Sequence, residues 1–98
     1  MKRFEVVVTS AARRDLRQLR EWIAADNPEA AKRFVAALGE QIQRLETLPM
    51  RGAVIPEAEL LGVELRHLLH GDYRTIYRVE DARVIVLRVV HGARLLRL

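Results

Sequence analysis

Asp26-Asn27-Pro28-Glu29-Ala30-Ala31 decides how this chain folds, because it ends one helical stretch and opens another within a few residues. Asn27 offers a side-chain oxygen to the free amides of a helix start. Pro28 fits the first helical position, and Glu29 meets the positive end of the helix dipole. Upstream, Thr9 or Ser10 caps a first helix in which Ala12, Leu16, Leu19 and Ile23 recur at helical spacing with Trp22 beside them. Arg13, Arg17 and Arg20 lie on another face, read as a solvated surface, and Arg17 with Glu21 makes an i,i+4 pair of unlike charge. Downstream, the second helix runs to about Thr47, with Ala31, Phe34, Leu38, Ile42 and Leu45 on one side. So short a connection predicts an antiparallel helical hairpin. Gly39 costs roughly 1 kcal/mol against alanine inside a helix; close approach of the two helix backbones would be a reason to keep it.

Beyond the hairpin the period changes. Lys2 to Val8 reads as a short strand rich in β-branched residues. Leu48 to Gly62 holds Pro49, Gly52, Pro56 and Gly62 without a usable period and is expected to be loop. Val63 to His70 and Tyr73 to Val79 flank Gly71-Asp72, a pair suited to a tight hairpin turn. Arg83 to His91 is apolar on both faces, which predicts an interior strand. The expected architecture is α+β: a two-layer β-α-α-β-β-β chain forming one domain over residues 1–98, its antiparallel helical hairpin packed on an antiparallel sheet.

Composition narrows the chemistry. At 98 residues there is room for one modest core. There is no cysteine, which excludes a thiolate nucleophile and a sulfur-ligated zinc and suits a cytoplasmic protein. The only apolar run near the start, Val6 to Val8, is too short for a signal core or a membrane span. Residues 1–65 carry ten basic and ten acidic side chains, whereas residues 66–98 carry seven arginines against Asp72, Glu80 and Asp81. The whole net charge of +4 therefore lies in the last third, a distribution suited to nucleic acid or an acidic protein.

No glycine-rich phosphate loop, nucleophilic triad order or metal-ligand spacing is present, so neither a cofactor nor a metal is expected. His67 and His70, three apart on a strand, point to opposite faces. Alternation puts Glu64, Arg66, Leu68 and His70 on one face of their strand, and Arg74, Ile76 and Arg78 together on the next, opposite Tyr73, Thr75 and Tyr77. In the last strand it groups Ile85, Leu87, Val89 and His91 against Val84, Val86, Arg88 and Val90. The arginines would then project from the sheet face that the helices leave bare, ready for phosphates or carboxylates.

Four segments in register resemble the ParE/RelE toxin superfamily and cover nearly the whole chain. They are Asp26 to Ala31; Leu45, Pro49 and Gly52 as L-x-x-x-P-x-x-G; Leu65-Arg66 with Gly71 to Val79; and Val86 to Arg94, whose His91-Gly92-Ala93-Arg94 resembles the ParE-like, plasmid stabilisation branch. The resemblance implies a first strand lying beside the last, and a toxin of a type II toxin–antitoxin system that inhibits DNA gyrase by binding. It implies a ParD-like antitoxin that folds around the toxin, contact with operator DNA only through that antitoxin, no membrane association and no small-molecule substrate. The expected target-facing set is Arg66, Arg74, Arg78, His91 and Arg94. The expected antitoxin-facing set is Leu16, Leu19, Trp22, Ile23, Phe34 and Leu38. The alternative is a metal-independent RelE-type endoribonuclease cleaving mRNA, for which Glu57, Arg74 and His91 are the catalytic candidates.

Overall fold

A computed structural model describes residues 2–92. The order of elements is β1 (Glu5–Val8), α1 (Ser10–Asp26), α2 (Pro28–Gln43), a 3₁₀ turn (Arg44–Glu46), β2 (Ala53–Val54), α3 (Glu57–Leu61), β3 (Arg66–His70), β4 (Tyr73–Glu80) and β5 (Arg83–His91). The helix starts follow the capping chemistry: Thr9 Oγ1 accepts from Ala12 N at 3.1 Å, and Asn27 Oδ1 from Ala30 N at 3.0 Å. The first strand is shorter than expected, because Phe4 N donates to the Glu46 carbonyl at 2.8 Å and leaves the sheet.

The strands form one sheet in the order β1-β5-β4-β3-β2, which makes β5 interior and sets β1 beside it. Strands β2 to β5 pair antiparallel, whereas β1 runs parallel to β5. The sheet is therefore mixed and not wholly antiparallel. Tight turns dictate antiparallel pairing only for strands they join, and no turn joins β1 to β5. The parallel direction brings Thr9 level with the middle of β5, so that α1 turns back across the sheet; Thr9 N donates to Val86 O at 3.1 Å.

Strict alternation fails in β5. Val84 and Val86 pack beneath Ala12 and Ile42, and Val89 packs with Leu19 and Leu38, all on the hairpin side. Leu87 and Val90 face the other way, against Ile55, Ala58 and Ile76. Val86 and Val89, three apart, share a face because Ile76 lies opposite Arg88 while Tyr77 lies opposite Val86, leaving Leu87 as an extra residue. That is a β-bulge. The start of α1 holds it in place where β1 stops: Thr9 Oγ1 donates to Leu87 O at 3.0 Å, and the Asp15 carboxylate accepts from Val89 N at 2.9 Å and Arg88 Nε at 2.7 Å.

The segment expected to be loop contains the edge strand β2 and the five-residue helix α3. Both are too short to leave a period in the sequence, and Gly62, at φ 70°, ends α3 in the left-handed region that glycine favours. Helix α3 matters because it lies on the sheet face expected to be bare. Ile55, Ala58, Leu65, Ile76 and Val90 form a second small core there.

Candidate functional site

Arg74 is the least accessible arginine among the described residues, at 5% exposure. Alternation aims it away from the helical hairpin, as expected, but α3 closes over it. The apolar anchors Ile55 and Ala58 hold α3 against the sheet and bring Glu57, itself 5% exposed, onto the guanidinium. Arg74 donates from Nη1 to Glu57 Oε1 at 3.3 Å and from Nη2 to Oε2, a forked contact. Its Nη1 also lies 3.5 Å from His67 Nδ1. A ring nitrogen facing an arginine must act as acceptor, so the geometry assigns the neutral ring. Burial, and next the Arg74 charge, hold the His67 pKa below its ordinary value, against a smaller opposing pull from Glu57.

Three other described arginines of the last third are engaged as well. Arg66 donates to Gly52 O at 2.7 Å and to Glu64, and so fastens the segment before β2. Arg78 pairs with Glu80 at 2.8 Å, and Arg88 with Asp15. Arg66 shares its strand face with Leu68, which packs on the hairpin side, whereas Arg74 and Arg78 share the α3 side. The expected target-facing set therefore does not form one surface. His91 is exposed and stacks edge-on against Tyr73 at 5.6 Å, and Tyr73 packs with the hairpin-side core. Arg94 lies outside the described residues.

The three catalytic candidates are divided by the sheet. Glu57 and Arg74 are together beneath α3, while His91 lies one strand away on the hairpin side. No phosphate can meet the Arg74 guanidinium until Glu57 is displaced. Breaking a buried pair by removing one partner costs about 3–5 kcal/mol.

On the hairpin, Leu19 and Leu38 are buried against Val89, and Leu16, Ile23 and Phe34 are half-buried around them. Trp22 is the exception, with 73% of its surface exposed. With Ile23, Ala25, Asp26, Asn27 and Ala30 it lines an apolar concavity of about 610 Å³ at the hairpin tip. Past Trp22 a second groove runs between α1 and the end of β5, lined by Asp15, Gln18, Tyr73, Val90 and His91. Asp15, Gln18 and Tyr73 carry no sequence signal for this role, since only the parallel β1–β5 pairing brings α1 beside the end of β5 and Tyr73.

Residues 6–96 match the family of the ParE toxin of type II toxin-antitoxin system, parDE. The chain belongs to the ParE toxin family. This ParE-family chain shares its fold with the chromosomal ParDE toxin–antitoxin system of P. aeruginosa, at TM-score 0.69 and 21% identity over 90% of this chain and 95% of that one. It is similar also to a chain of the RelBE2 toxin–antitoxin complex of Mycobacterium tuberculosis, at TM-score 0.65 and 31% identity over 91% of this chain and 98% of that one. No curated protein matches it. The ParE-type toxin of a type II system thus has two N-terminal helices on a five-stranded mixed sheet, and among its described residues no helix is long and apolar enough to cross a membrane.

Proposed function

We propose that this ParE-type toxin arrests DNA gyrase by binding it and is neutralised by a cognate ParD-like antitoxin. The observation that carries the reading is the division of Glu57 and Arg74 from His91 by the sheet, with Arg74 sealed under α3. A surface so arranged is suited to contact and not to phosphodiester cleavage. Of the target-facing set, Arg78 is accessible on the α3 side and His91 on the hairpin side, so they meet the target from opposite faces of the sheet and not as one patch, and Arg94 is kept with them. Arg66 and Arg74 support them by holding the β2 segment and α3 in place.

The antitoxin takes the hairpin tip and the adjoining groove. A disordered tail that folds on binding needs large apolar anchors, and Trp22 offers one at the centre of a continuous track. Ile23 lines the concavity and Leu19 the adjoining groove, Leu38 supports them from the core, and Leu16 and Phe34 open onto separate grooves of the hairpin. Trp22→Ala in the toxin weakens the toxin–antitoxin complex at least 30-fold (about 2 kcal/mol for an aromatic hot spot), measured by titration calorimetry. An unchanged affinity would remove Trp22 from the interface.

The target is tested by inducing the chain alone in a bacterial host and following plasmid breakage together with message integrity. Growth arrest with a DNA-damage response, cleaved plasmid and intact mRNA is expected. Cut messages without DNA damage would overturn the reading in favour of the RelE-type ribonuclease.

A further inference from the structure

Among the described residues, much of the positive charge of the last third is neutralised by pairing. Arg66, Arg74, Arg78 and Arg88 are each paired with a carboxylate, and three of those carboxylates (Glu64, Glu57 and Asp15) come from the neutral first two-thirds of the chain. Among the described cations left without an ion pair, three form a row on the hairpin. Arg13, Arg17 and Arg20 have no ion pair among the described residues, and the i,i+4 pair expected between Arg17 and Glu21 is not made.

These three arginines stand at i, i+4 and i+7, in line on one face of α1. With Leu16 and with Val35 of α2 they line an open groove of about 310 Å³ on the outer surface of the hairpin. Trp22 lies nine residues from Arg13, two and a half turns at about 3.6 residues per turn, so it points from the opposite flank. Apart from one bond, from Arg13 Nε to the Val8 carbonyl at 3.3 Å, the arginines do not serve the helix itself. Arg13 lies near the positive end of the α1 dipole, where cations are unfavourable, and no acidic residue occupies the first turn of α1.

We propose that the Arg13–Arg17–Arg20 ridge grips the phosphate backbone of duplex DNA without regard to sequence. The ridge is about 10 Å long at 1.5 Å rise per residue, and the reach of three long arginine side chains lets each meet its own phosphate on the backbone. Guanidinium forks match phosphate oxygens bidentately. The groove floor offers only Leu16 and Val35, both already half-buried in the hairpin, so an acidic helix would find little apolar anchorage there. This inference stands on the charge distribution alone and is independent of the gyrase reading. It also differs from operator recognition through an antitoxin, since it requires no particular sequence.

The test is fluorescence anisotropy of a labelled duplex of arbitrary sequence, titrated with the full chain at several salt concentrations. Three phosphate contacts predict an affinity loss of about 40-fold between 50 and 200 mM salt, falling to about 3- to 4-fold for the single contact left in Arg17→Ala/Arg20→Ala. The control Arg3→Ala/Arg44→Ala removes the same formal charge from two arginines already paired with Glu46 and Glu40, and it keeps the wild-type salt dependence. Circular dichroism shows each variant to be folded. Equal weakening by both double variants would reduce the effect to net charge and overturn the proposal. So would absence of DNA binding, or stronger competition by poly-glutamate than by unlabelled duplex, which would reassign the ridge to an acidic protein.

Discussion

Glu57, on a helix of only five residues, closes its carboxylate onto Arg74 near the start of β4, with side chains 6% and 5% exposed respectively. This pair fixes α3 to the sheet and removes Arg74 from the surface. Glu57→Ala leaves a buried guanidinium short of its counter-charge and lowers stability by about 3–5 kcal/mol, whereas Glu57→Leu combined with Arg74→Met regains most of that loss. Urea midpoints of the two singles and the double variant measure this. A loss under about 1 kcal/mol for Glu57→Ala would mean that the pair is screened like a surface one.

Gly52 has no room for a side chain. A Cβ there would lie 2.6 Å from the His67 carbonyl oxygen and 2.7 Å from the Tyr77 hydroxyl. The same close approach lets Gly52 N donate to Tyr77 Oη at 2.9 Å. Gly52→Ala should therefore destabilise by about 1–3 kcal/mol or more through overpacking, visible as a lowered thermal midpoint. Tyr77→Phe should cost about 1–3 kcal/mol by orphaning a buried amide. A Gly52→Ala protein as stable as wild type would show that β2 shifts freely.

Gly39 is the opposite case. Nothing lies within 4 Å of the Cβ that alanine would add, so the two helix backbones do not approach closely there. Gly39→Ala is expected to raise stability by about 0.5–1 kcal/mol, read as a higher urea midpoint. A decrease would reveal a backbone constraint at this turn of α2.

His67 makes stability depend on pH. Its folded pKa lies below its ordinary value, so between that ordinary value and the folded one the unfolded chain binds a proton that the folded chain refuses. The contribution is fully present above about pH 6.5 and declines as the pH falls towards the folded pKa. Denaturation midpoints at pH 7.5 and pH 5.5 should differ more for wild type than for His67→Gln. Parallel profiles would detach the acid sensitivity from this ring.

Much of the site's chemistry was visible as residue types but not as relationships. Trp22, Arg74, Glu57 and His91 could all be named from the sequence. Alternation correctly turned Arg74 away from Tyr73, yet it also grouped Leu87 with Val89, because one extra residue in a strand leaves no compositional mark. The pairing of Glu57 with Arg74 was illegible for a similar reason: α3 is too short for a hydrophobic period, and its docking depends on three or four apolar contacts distant in the chain.

The sequence by itself determined what is local. Thr9 and Asn27 start the two helices, Pro28 separates them, and Gly71-Asp72 turns β3 into β4, since each acts within a few residues of backbone. Tertiary structure alone decided what depends on meetings between distant segments. The direction of β1 follows from packing, because no turn constrains it. The location of free positive charge follows from which carboxylates reach which arginines: Asp15 meets Arg88 across 73 residues and Glu57 meets Arg74 across 17, while Arg13, Arg17 and Arg20 are among the cations left without a carboxylate. Charge counted along a sequence is a sum, whereas the field a partner meets depends on pairing, and only the fold creates the pairs.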